Sequence, residues 1–132
     1  TLWNEKMVLV NPVIKCREGL TTDWEACESC LDYTGLVLRP YKTKIEYFDL
    51  EGKKHQKTFK GFSSTIFCHE HDHLDGILHI DKALELMIMS REERKEFKKV
   101  HAYEIISKTG CFLELEEKYA KKYKNECHAN FR

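Results

Sequence analysis

The sequence predicts an α+β domain, in which a small and mostly antiparallel β-sheet packs around one central helix and further helices follow at the C-terminal end. Three observations predict this fold. Short apolar or β-branched runs separated by turn residues fill the chain up to Gly61. From Phe62 onward, apolar residues and histidines recur at helical spacing. The last third of the chain is rich in Lys and Glu and carries a helix-capping sequence at Ser90.

The first half of the chain contains several short strand candidates. Residues 7–10 form an apolar run that Asn11-Pro12 is expected to stop, with a continuation at residues 13–14. Residues 16–26 are polar and are predicted to be turn-like. Residues 36–38 form another short strand candidate. Residues 43–60 are predicted to be a β-hairpin around the turn residues 49–52.

Three helices are predicted in the second half. The first begins at Phe62 and ends at Gly76, whose freedom to adopt positive φ suits a C-terminal cap. The second begins with a capping box at residues 90–93 and is predicted to run to about Ser107. The third covers residues 111–126, and its Lys and Glu content is typical of a solvated surface helix.

The composition is that of an ordinary globular protein. The 132 residues suffice for one domain with a moderate core, 42% of them are hydrophobic and 33% are charged. The 22 basic and 22 acidic residues cancel, so the net charge does not indicate binding to nucleic acid or to an anionic membrane. No apolar run reaches the length of a membrane span. With no secretory signal at the start, the six cysteines are expected to be reduced and intracellular.

The first predicted helix carries a His-Glu-x-x-His pattern at His69, Glu70 and His73. Residues four apart lie on the same face of a helix, so the two imidazoles can bind one metal ion and the Glu can reach a water beside it. The match alone is moderately specific, because it also arises by chance on charged helices. Its apolar surroundings favour a metal site, since burying these polar groups without partners costs several kcal/mol.

A catalytic metal site needs a third protein ligand and one open position. Downstream, His79 lacks the sequence that continues the motif in zinc proteases, and Glu85 is more simply a surface residue. Upstream lie Cys27 and Cys30. Both cysteines together with the two histidines would form a closed structural zinc site, whereas one cysteine would leave the position that hydrolysis requires.

Two segments resemble the motifs of the peptide deformylase family. Residues 68–76, CHEHDHLDG, are similar to that family's (Q)HExDHLxG motif, and residues 25–29, EACES, are similar to its EGCxS motif, whose Cys is the third metal ligand. The resemblance extends from about residue 8 to residue 81. In the family register the ligand falls at Cys27, whereas a ligand at Cys30 would require a shorter segment after it. The Cys-Glu-Ser sequence resembles the mitochondrial branch of the family.

The resemblance implies a metal-dependent hydrolase that removes the N-formyl group from formylmethionyl peptides or nascent chains and releases formate. Cys27, His69 and His73 would hold one Fe²⁺ or Zn²⁺ ion, with a fourth position open for water, and Glu70 would be the general base. The expected partners are the formylated peptide or the nascent chain at the ribosome, with no direct binding to nucleic acid or membrane. A mitochondrion or another organelle is the expected location, and the bacterial cytoplasm is the alternative.

The resemblance also implies residues that contact the substrate. The backbone N–H of Glu28 would donate to the developing oxyanion. Ala26 stands where the family has Gly, so it adds a methyl group beside the substrate strand. Phe62, Ile66 and Phe67 would line the pocket for the methionine side chain, and an ordinary core position fits these three residues equally well.

The remaining features are departures from the family and their consequences. Cys68 replaces a Gln and would place a second thiol beside the metal. Asp72 is expected to orient a ligand histidine or cap nearby backbone, with an ordinary surface position as the alternative. The family's G-x-G-x-A-A-x-Q motif is not among these residues and would precede Met7, so we expect the single domain 1–132 to lack its N-terminal part. Residues 1–81 would be the family core and residues 82–132 a C-terminal helical extension. The missing motif raises the alternative of a weak or inactive deformylase-like binding or scaffold protein.

Overall fold

The computed structural model describes the backbone of residues 2–3, 7–27 and 30–130, and the side chains of residues 7–27 and 32–126. Within these ranges the chain forms seven strands and four helices, which confirms the predicted α+β class. The strands are β1 (Leu2–Trp3), β2 (Val8–Cys27), β3 (Cys30–Arg39), β4 (Lys42–Phe48), β5 (Lys54–Lys60), β6 (Glu85–Ile88) and β7 (Glu104–Cys111). The helices are α1 (Phe62–Leu74), α2 (His79–Lys82), α3 (Arg91–Val100) and α4 (Phe112–Asn130).

Strand β2 is the centre of the sheet. The order is β5-β4-β2-β3-β6, β1 and β7 also pair with β2, and each of these pairings is antiparallel. The first half of β2 pairs with β4, from Val10 opposite Phe48 to Glu18 opposite Lys42. Its second half pairs with β3 and ends with Cys27 opposite Cys30. The long strand therefore delivers Cys27 to one end of the sheet.

The prediction that residues 16–26 are turn-like is wrong, because they lie within β2. Several polar side chains in this stretch are buried, and Thr21, Asp23 and Glu25 have partners on other elements. Thr21 donates its hydroxyl to the carbonyl oxygen of Arg39 at 3.0 Å, and Asp23 and Glu25 form ion pairs with Lys98 and Arg39. Buried polar groups are compatible with a strand when they are hydrogen-bonded.

Asn11-Pro12 also does not end the first strand. Asn11 adopts a φ of 48°, and the register of β2 against β4 shifts between Val10 and Val13. The pair therefore forms a bulge. At a bulge the strand pairing tolerates the missing N–H of proline, and the strand bends without ending.

The hairpin and the first helix are confirmed. In the turn between β4 and β5, the Asp49 carboxylate accepts hydrogen bonds from the backbone N–H groups of Glu51 at 3.0 Å and Lys53 at 2.9 Å. After α1, Gly76 has a φ of 73° and donates its N–H to the carbonyl oxygen of His73 at 3.1 Å. Both turns thus use the local chemistry that the sequence predicts.

One face of α1 packs on the sheet. Phe67 and Cys68 join Leu9 and Ile45 in a buried cluster, and the ring of Phe67 stacks on Phe59 with 4.9 Å between centroids. Burying a side chain of this kind contributes about 1.5–3 kcal/mol. This packing sets the rotation of the helix about its axis.

The capping box of α3 is confirmed, but the predicted helix is too long. Glu93 donates its N–H to Ser90 Oγ at 3.1 Å, and α3 then ends at Val100 rather than near Ser107. Residues after the helix form β7, which pairs with β2 from Thr22 opposite Glu104 to Glu18 opposite Cys111. Pairing with this stretch of β2 satisfies backbone groups of both strands, and helical periodicity in the sequence does not reveal it.

The segment after residue 81, predicted to be helical, contains strands β6 and β7 as well as helices. The predicted helix at residues 111–126 is confirmed as α4, and most of its side chains are exposed. One face of α4 packs nevertheless, since Phe112 is buried with Leu20 and Leu38. Among the helices within the described ranges, none has the length and apolarity needed to cross a bilayer.

Candidate metal centre

Three predicted metal ligands converge at the end of β2. Cys27 is the last residue of β2, and His69 and His73 lie one turn apart on α1. One ligand atom from each residue lies within 4.8 Å of the other two. The Cys27 sulfur is 3.6 Å from Nε2 of His73, and the two imidazole centroids are 4.6 Å apart. The fold therefore brings a thiol from a strand to two imidazoles from a helix.

The arrangement fits a divalent metal ion. Sulfur and nitrogen ligands at tetrahedral angles around zinc are about 3.5 Å apart, close to the separation of Cys27 and His73. A thiolate with two imidazoles is a donor set that suits Zn²⁺ or Fe²⁺. Among the described side chains, these three residues form the one cluster of potential metal donors. Three protein donors leave a fourth tetrahedral position for a water or substrate.

Two predicted site residues lie partly or wholly outside the described residues. The backbone of Cys30 pairs with Cys27, but its side chain is not described, so the choice of Cys27 over Cys30 stays a prediction. Glu28, whose N–H was predicted to face the oxyanion, is outside the described residues altogether.

The orientation of His69 is set by Glu25. Nδ1 of His69 lies 2.8 Å from Oε1 of Glu25, so this nitrogen donates to the carboxylate and Nε2 is left for a metal ion. The hydrogen bond to Glu25 raises the pKa of His69 above its ordinary value, although burial opposes this effect. Glu25 thus selects the imidazole tautomer that can act as a ligand.

Glu25 is in turn held by Arg39, which is 2% exposed. Nε and Nη2 of Arg39 donate to the two carboxylate oxygens of Glu25, each at 2.9 Å. Burial alone would raise the pKa of Glu25, but the hydrogen bonds from Arg39 and His69 outweigh it and lower the pKa to about 2. Glu25 is therefore ionised under any ordinary condition and can accept from His69.

Asp72 is buried, so the alternative of an ordinary surface position is wrong. It is 8% exposed, and it accepts from Nη1 of Arg39 at 2.5 Å and from Lys82 at 3.1 Å. Hydrogen bonds connect Asp72 to His69 through Arg39 and Glu25. The prediction that Asp72 orients a ligand histidine stays a prediction, for which this chain of hydrogen bonds offers an indirect route.

A cleft of about 220 Å³ adjoins the predicted metal ligand His69, and several predicted substrate residues line it together. Its wall includes Ala26, Phe62 and Ile66, next to His69 and Glu70. Phe62 and Ile66 are each 51% exposed, so the alternative that they are core residues is wrong. The full lining also contains Asp23, Glu25, Thr65 and Arg94.

Phe67 and Cys68 do not belong to this cleft. Phe67 is 5% exposed in the core, so its predicted place in the substrate pocket is wrong. The Cys68 sulfur lies in the same core, 3.5 Å from Oγ1 of Thr43. Burial raises the pKa of the Cys68 thiol, so it is a poor metal ligand. The expectation of a second thiol beside the metal is therefore wrong.

Glu70 and His79 flank the two ligand histidines. Glu70 is exposed, and its carboxylate lies 3.7 Å from Nδ1 of His73. His79 was one of the alternatives for the third ligand. Its side chain is 1% exposed and stacks on the ring of His69, with 6.2 Å between centroids. Its Nε2 donates to the carbonyl oxygen of Tyr33 at 3.2 Å, so His79 forms the wall behind His69.

Sequence reasoning missed the residues behind the ligands. Glu25 stands in the EACES segment, so its position two residues before Cys27 was a usable signal. Arg39 precedes Pro40 at the end of a strand and carries no local signal for a role at the site. The same is true of Arg94, which reaches the cleft from α3.

The chain is similar in sequence to known deformylases. A family model described as polypeptide deformylase matches residues 1–89. The peptide deformylase of Thermoanaerobacter pseudethanolicus is 39% identical over 92 residues, which are 70% of this chain and 57% of that protein. The peptide deformylase of Finegoldia magna is 42% identical over 82 residues, covering 61% and 51% of the two chains.

Solved structures agree with the sequence similarity. Peptide deformylase 1B of Arabidopsis thaliana, solved with an inhibitor, aligns with a TM-score of 0.55 and 29% identity, covering 88% of this chain and 55% of that one. The class I type b peptide deformylase of Acinetobacter baumannii, solved with Met-Ala-Ser bound, aligns with a TM-score of 0.54 and 36% identity over 58% of this chain and 48% of that one.

The match has a defined extent. The chain spans about half the length of the curated relatives it matches, from 57% down to 48% of the first three. The family model covers β1 to β6 with α1 and α2, and thus Cys27, both histidines and Glu70. From the match of sequence, fold and ligand geometry, we conclude that this chain belongs to the polypeptide deformylase family.

Proposed function

We propose that this chain is a peptide deformylase, which hydrolyses the N-formyl group of formylmethionyl peptides and releases formate. The observation that carries the proposal is the convergence of Cys27, His69 and His73 with their ligand atoms within 4.8 Å of one another. The two curated relatives described above are both named peptide deformylases. The solved structure of the Acinetobacter baumannii peptide deformylase holds Met-Ala-Ser, a peptide of the expected product class.

One divalent ion, Fe²⁺ or Zn²⁺, held by Cys27, His69 and His73 would polarise the formyl carbonyl and lower the pKa of a bound water. The protein supplies the remaining parts. Glu25 keeps Nδ1 of His69 occupied, so that Nε2 faces the ion. The Glu70 carboxylate lies in the adjoining cleft, where it can take a proton from the attacking water and return it to the leaving amine.

The cleft beside the ligands accommodates the first side chain of the substrate. Phe62 and Ile66 present half-exposed apolar surface there, which suits a thioether, and Ala26 lies along the same wall. The backbone N–H of Glu28 would donate to the oxyanion, as the family resemblance implies. A formylmethionyl peptide or a nascent chain at the ribosome is the proposed partner, and no direct contact with nucleic acid or membrane is expected.

The proposed location rests on the organisms of the curated relatives. The curated relatives described above are bacterial, which favours the bacterial cytoplasm. The organelle predicted from the Cys-Glu-Ser sequence stays a prediction without further support.

The first experiment measures formate release from formyl-Met-Ala-Ser by the chain loaded with Fe²⁺ or Zn²⁺. We expect Glu70→Gln to lower the rate by a factor of ~10²–10⁴, since this is the usual contribution of a general base, while the metal content stays the same. Glu92→Gln, an exposed change on α3, serves as the matched control. Equal rates for Glu70→Gln and the unchanged chain would refute the proposal that the chain is a deformylase. The alternative of an inactive, deformylase-like binding protein would then remain.

The second experiment identifies the third ligand by metal analysis of Cys27→Ser and Cys30→Ser. We expect Cys27→Ser to lose the ion and Cys30→Ser to keep it, because Cys27 stands beside the two histidines. Loss of the ion from both variants would instead indicate a closed four-ligand structural site, which cannot bind a substrate.

A further inference from the structure

The strand order β5-β4-β2-β3-β6 ends in two outer strands, and only one of them is protected against pairing with another chain. In the part of the chain that the structure describes, β5 pairs with β4 alone and β6 pairs with β3 alone. An outer strand presents unpaired backbone groups, and lysines along it hinder the addition of a further strand. β5 carries Lys54, Lys57 and Lys60, whereas β6 has no lysine. The edge at β6 is therefore open to another strand.

Strand β6 also presents apolar side chains to solvent. Leu86, Met87 and Ile88 are all exposed, Ile88 by 73%. The charged residue of the strand, Glu85, accepts a hydrogen bond from the hydroxyl group of Tyr123. An exposed apolar strand at the edge of a sheet favours association, because pairing satisfies its backbone groups and removes its side chains from water.

The backbone groups of β6 that face outward can be identified from its pairing with β3. Met89 donates its N–H to the carbonyl oxygen of Asp32 at 3.0 Å. These two residues continue the register in which Tyr33 lies opposite Ile88. Hydrogen-bonded and non-hydrogen-bonded pairs alternate along antiparallel strands. Leu86 and Ile88 therefore occupy non-hydrogen-bonded positions against β3, and their N–H and C=O groups point away from it.

We propose that two copies of this chain associate through β6, with the two strands antiparallel about a two-fold axis at Met87. In this register, Leu86 of each copy lies opposite Ile88 of the other. Each of these pairs exchanges two backbone hydrogen bonds, because the outward N–H and C=O groups of both residues face each other. Met87 lies opposite its own counterpart, in a non-hydrogen-bonded pair.

A second copy fits this edge because the edge is complementary to itself. The second copy supplies the same outward donors and acceptors and the same apolar side chains, as a two-fold interface requires. Like charges do not meet within the strand pair, since Glu85 falls opposite Met89 of the other copy. A four-residue strand pair buries less than the ~800 Å² per partner of a standard interface, so the dimer dissociates on dilution.

Sedimentation velocity of the full chain, in the presence of a reductant, tests the association. We expect the average mass to rise from that of one chain toward that of two between micromolar and millimolar concentration. Met87→Lys places two like charges opposite each other and should abolish this rise. Val13→Lys, at an exposed apolar residue of β2, is the matched control and should keep it. A single chain at every concentration, or a dimer that persists in Met87→Lys, overturns the proposal.

A pair of opposite charges distinguishes a second copy from any other partner. Met87→Glu by itself should also remain a single chain, and thermal unfolding verifies that both charged variants are folded. An equimolar mixture of Met87→Lys and Met87→Glu should regain the dimer, because opposite charges then meet at the two-fold axis. A mixture that stays monomeric contradicts pairing at Met87.

A disulfide test examines the register without added charges. The Cα atoms of a non-hydrogen-bonded pair are ~4.5 Å apart, a separation that a disulfide can bridge. With glutathione disulfide as the oxidant, Met87→Cys should therefore link position 87 of one chain to position 87 of another, as identified by peptide mass spectrometry. Leu86→Cys should form far less of the corresponding link, because the two copies of position 86 lie more than ~7 Å apart in this register. Equal yields for the two variants overturn the register.

These measurements do not depend on the proposed function. Mass and disulfide yield are read without a substrate, and β6 contributes no residue to the metal ligands or to the cleft beside them. A chain that releases formate and stays monomeric refutes the dimer alone, whereas a dimer that releases no formate refutes the deformylase alone.

Discussion

At the residue scale, Arg39 joins the candidate metal site to the core. It is the largest side chain in the structure's described part that is almost completely buried, and it binds the carboxylates of Glu25 and Asp72. Two carboxylates around one guanidinium are stable in the interior only while all three groups are present, because each charge replaces the water that the others have lost.

Replacing Arg39 by Met should therefore be severely destabilising. The change leaves Glu25 and Asp72 buried without their counter-charge, and breaking a buried pair in this way costs about 3–5 kcal/mol. Urea unfolding of the metal-free chain measures the loss. Arg17→Met, at an exposed arginine of the same sheet, is the control and should change the free energy of unfolding by less than about 0.5 kcal/mol. An equal effect of both changes would contradict the role of Arg39.

The lowered pKa of Glu25 predicts a loss of stability in acid. Its pKa is about 2 in the folded chain against an ordinary value of 4.5, so its contribution is fully present above pH 4.5 and disappears as the pH falls toward 2. The shift corresponds to roughly 3 kcal/mol, at 1.36 kcal/mol per pKa unit. Urea unfolding of chelator-treated protein across this range tests it. Glu25→Gln should flatten the dependence, and a curve as steep as that of the unchanged chain would show that other carboxylates cause it.

At the element scale, the 20-residue strand β2 can pair with several other strands because its backbone bends along its length. Asn11 supplies one bend, and Gly19, with a φ of 76°, supplies another where β2 meets β7. A side chain at Gly19 would place its Cβ 2.5 Å from the carbonyl oxygen of Ser107. Gly19 thus lets two backbones approach more closely than any other residue would allow.

Gly19→Ala should therefore destabilise the chain more than Gly52→Ala. Both glycines have positive φ, so each change carries the left-handed strain of about 1–2 kcal/mol. A Cβ at Gly52 meets nothing within 4 Å, whereas one at Gly19 collides with backbone. Thermal unfolding of the two variants measures the difference. Similar melting temperatures would mean that β7 moves aside at little cost.

At the scale of the whole molecule, a bound ion would connect the two parts of the fold that form the site. Cys27 belongs to the central strand, and His69 and His73 belong to the helix that packs on the sheet. A ligand that binds only the folded chain stabilises it by mass action, by about 2.7 kcal/mol at a hundredfold excess over Kd.

Removing the metal should therefore lower the melting temperature. We expect a chelator to shift the thermal transition of the unchanged chain downward and to leave Cys27→Ser almost unaffected, because that variant has lost a ligand. Cys16→Ser, at an exposed cysteine elsewhere on β2, should respond to the chelator as the unchanged chain does. A chelator effect of equal size in Cys27→Ser would place the ion elsewhere.

The features that depend on local spacing could be predicted from the sequence. His69 and His73 share a helix face because they are four residues apart, and the hairpin and the Ser90 cap follow from turn and capping chemistry. Cys27 was predicted through its family motif, and the structure brings its sulfur to the two histidines.

The features that depend on partners distant in the sequence could not be predicted from it. Thr21, Asp23 and Glu25 read as turn residues because their partners, Arg39 and Lys98, arrive from other elements. Likewise, residues 104–111 become a strand only because β2 offers them backbone hydrogen bonds.

By itself, the sequence determined the helix that carries His69 and His73, since its periodicity is local and does not depend on other elements. The tertiary structure decided what supports and surrounds that helix: the buried charges behind His69, the extended path of β2 and the position of Arg94 in the cleft. The physical reason is that polar side chains can be buried only where partners from elsewhere in the fold replace water, and the one-dimensional sequence does not show which residues will meet.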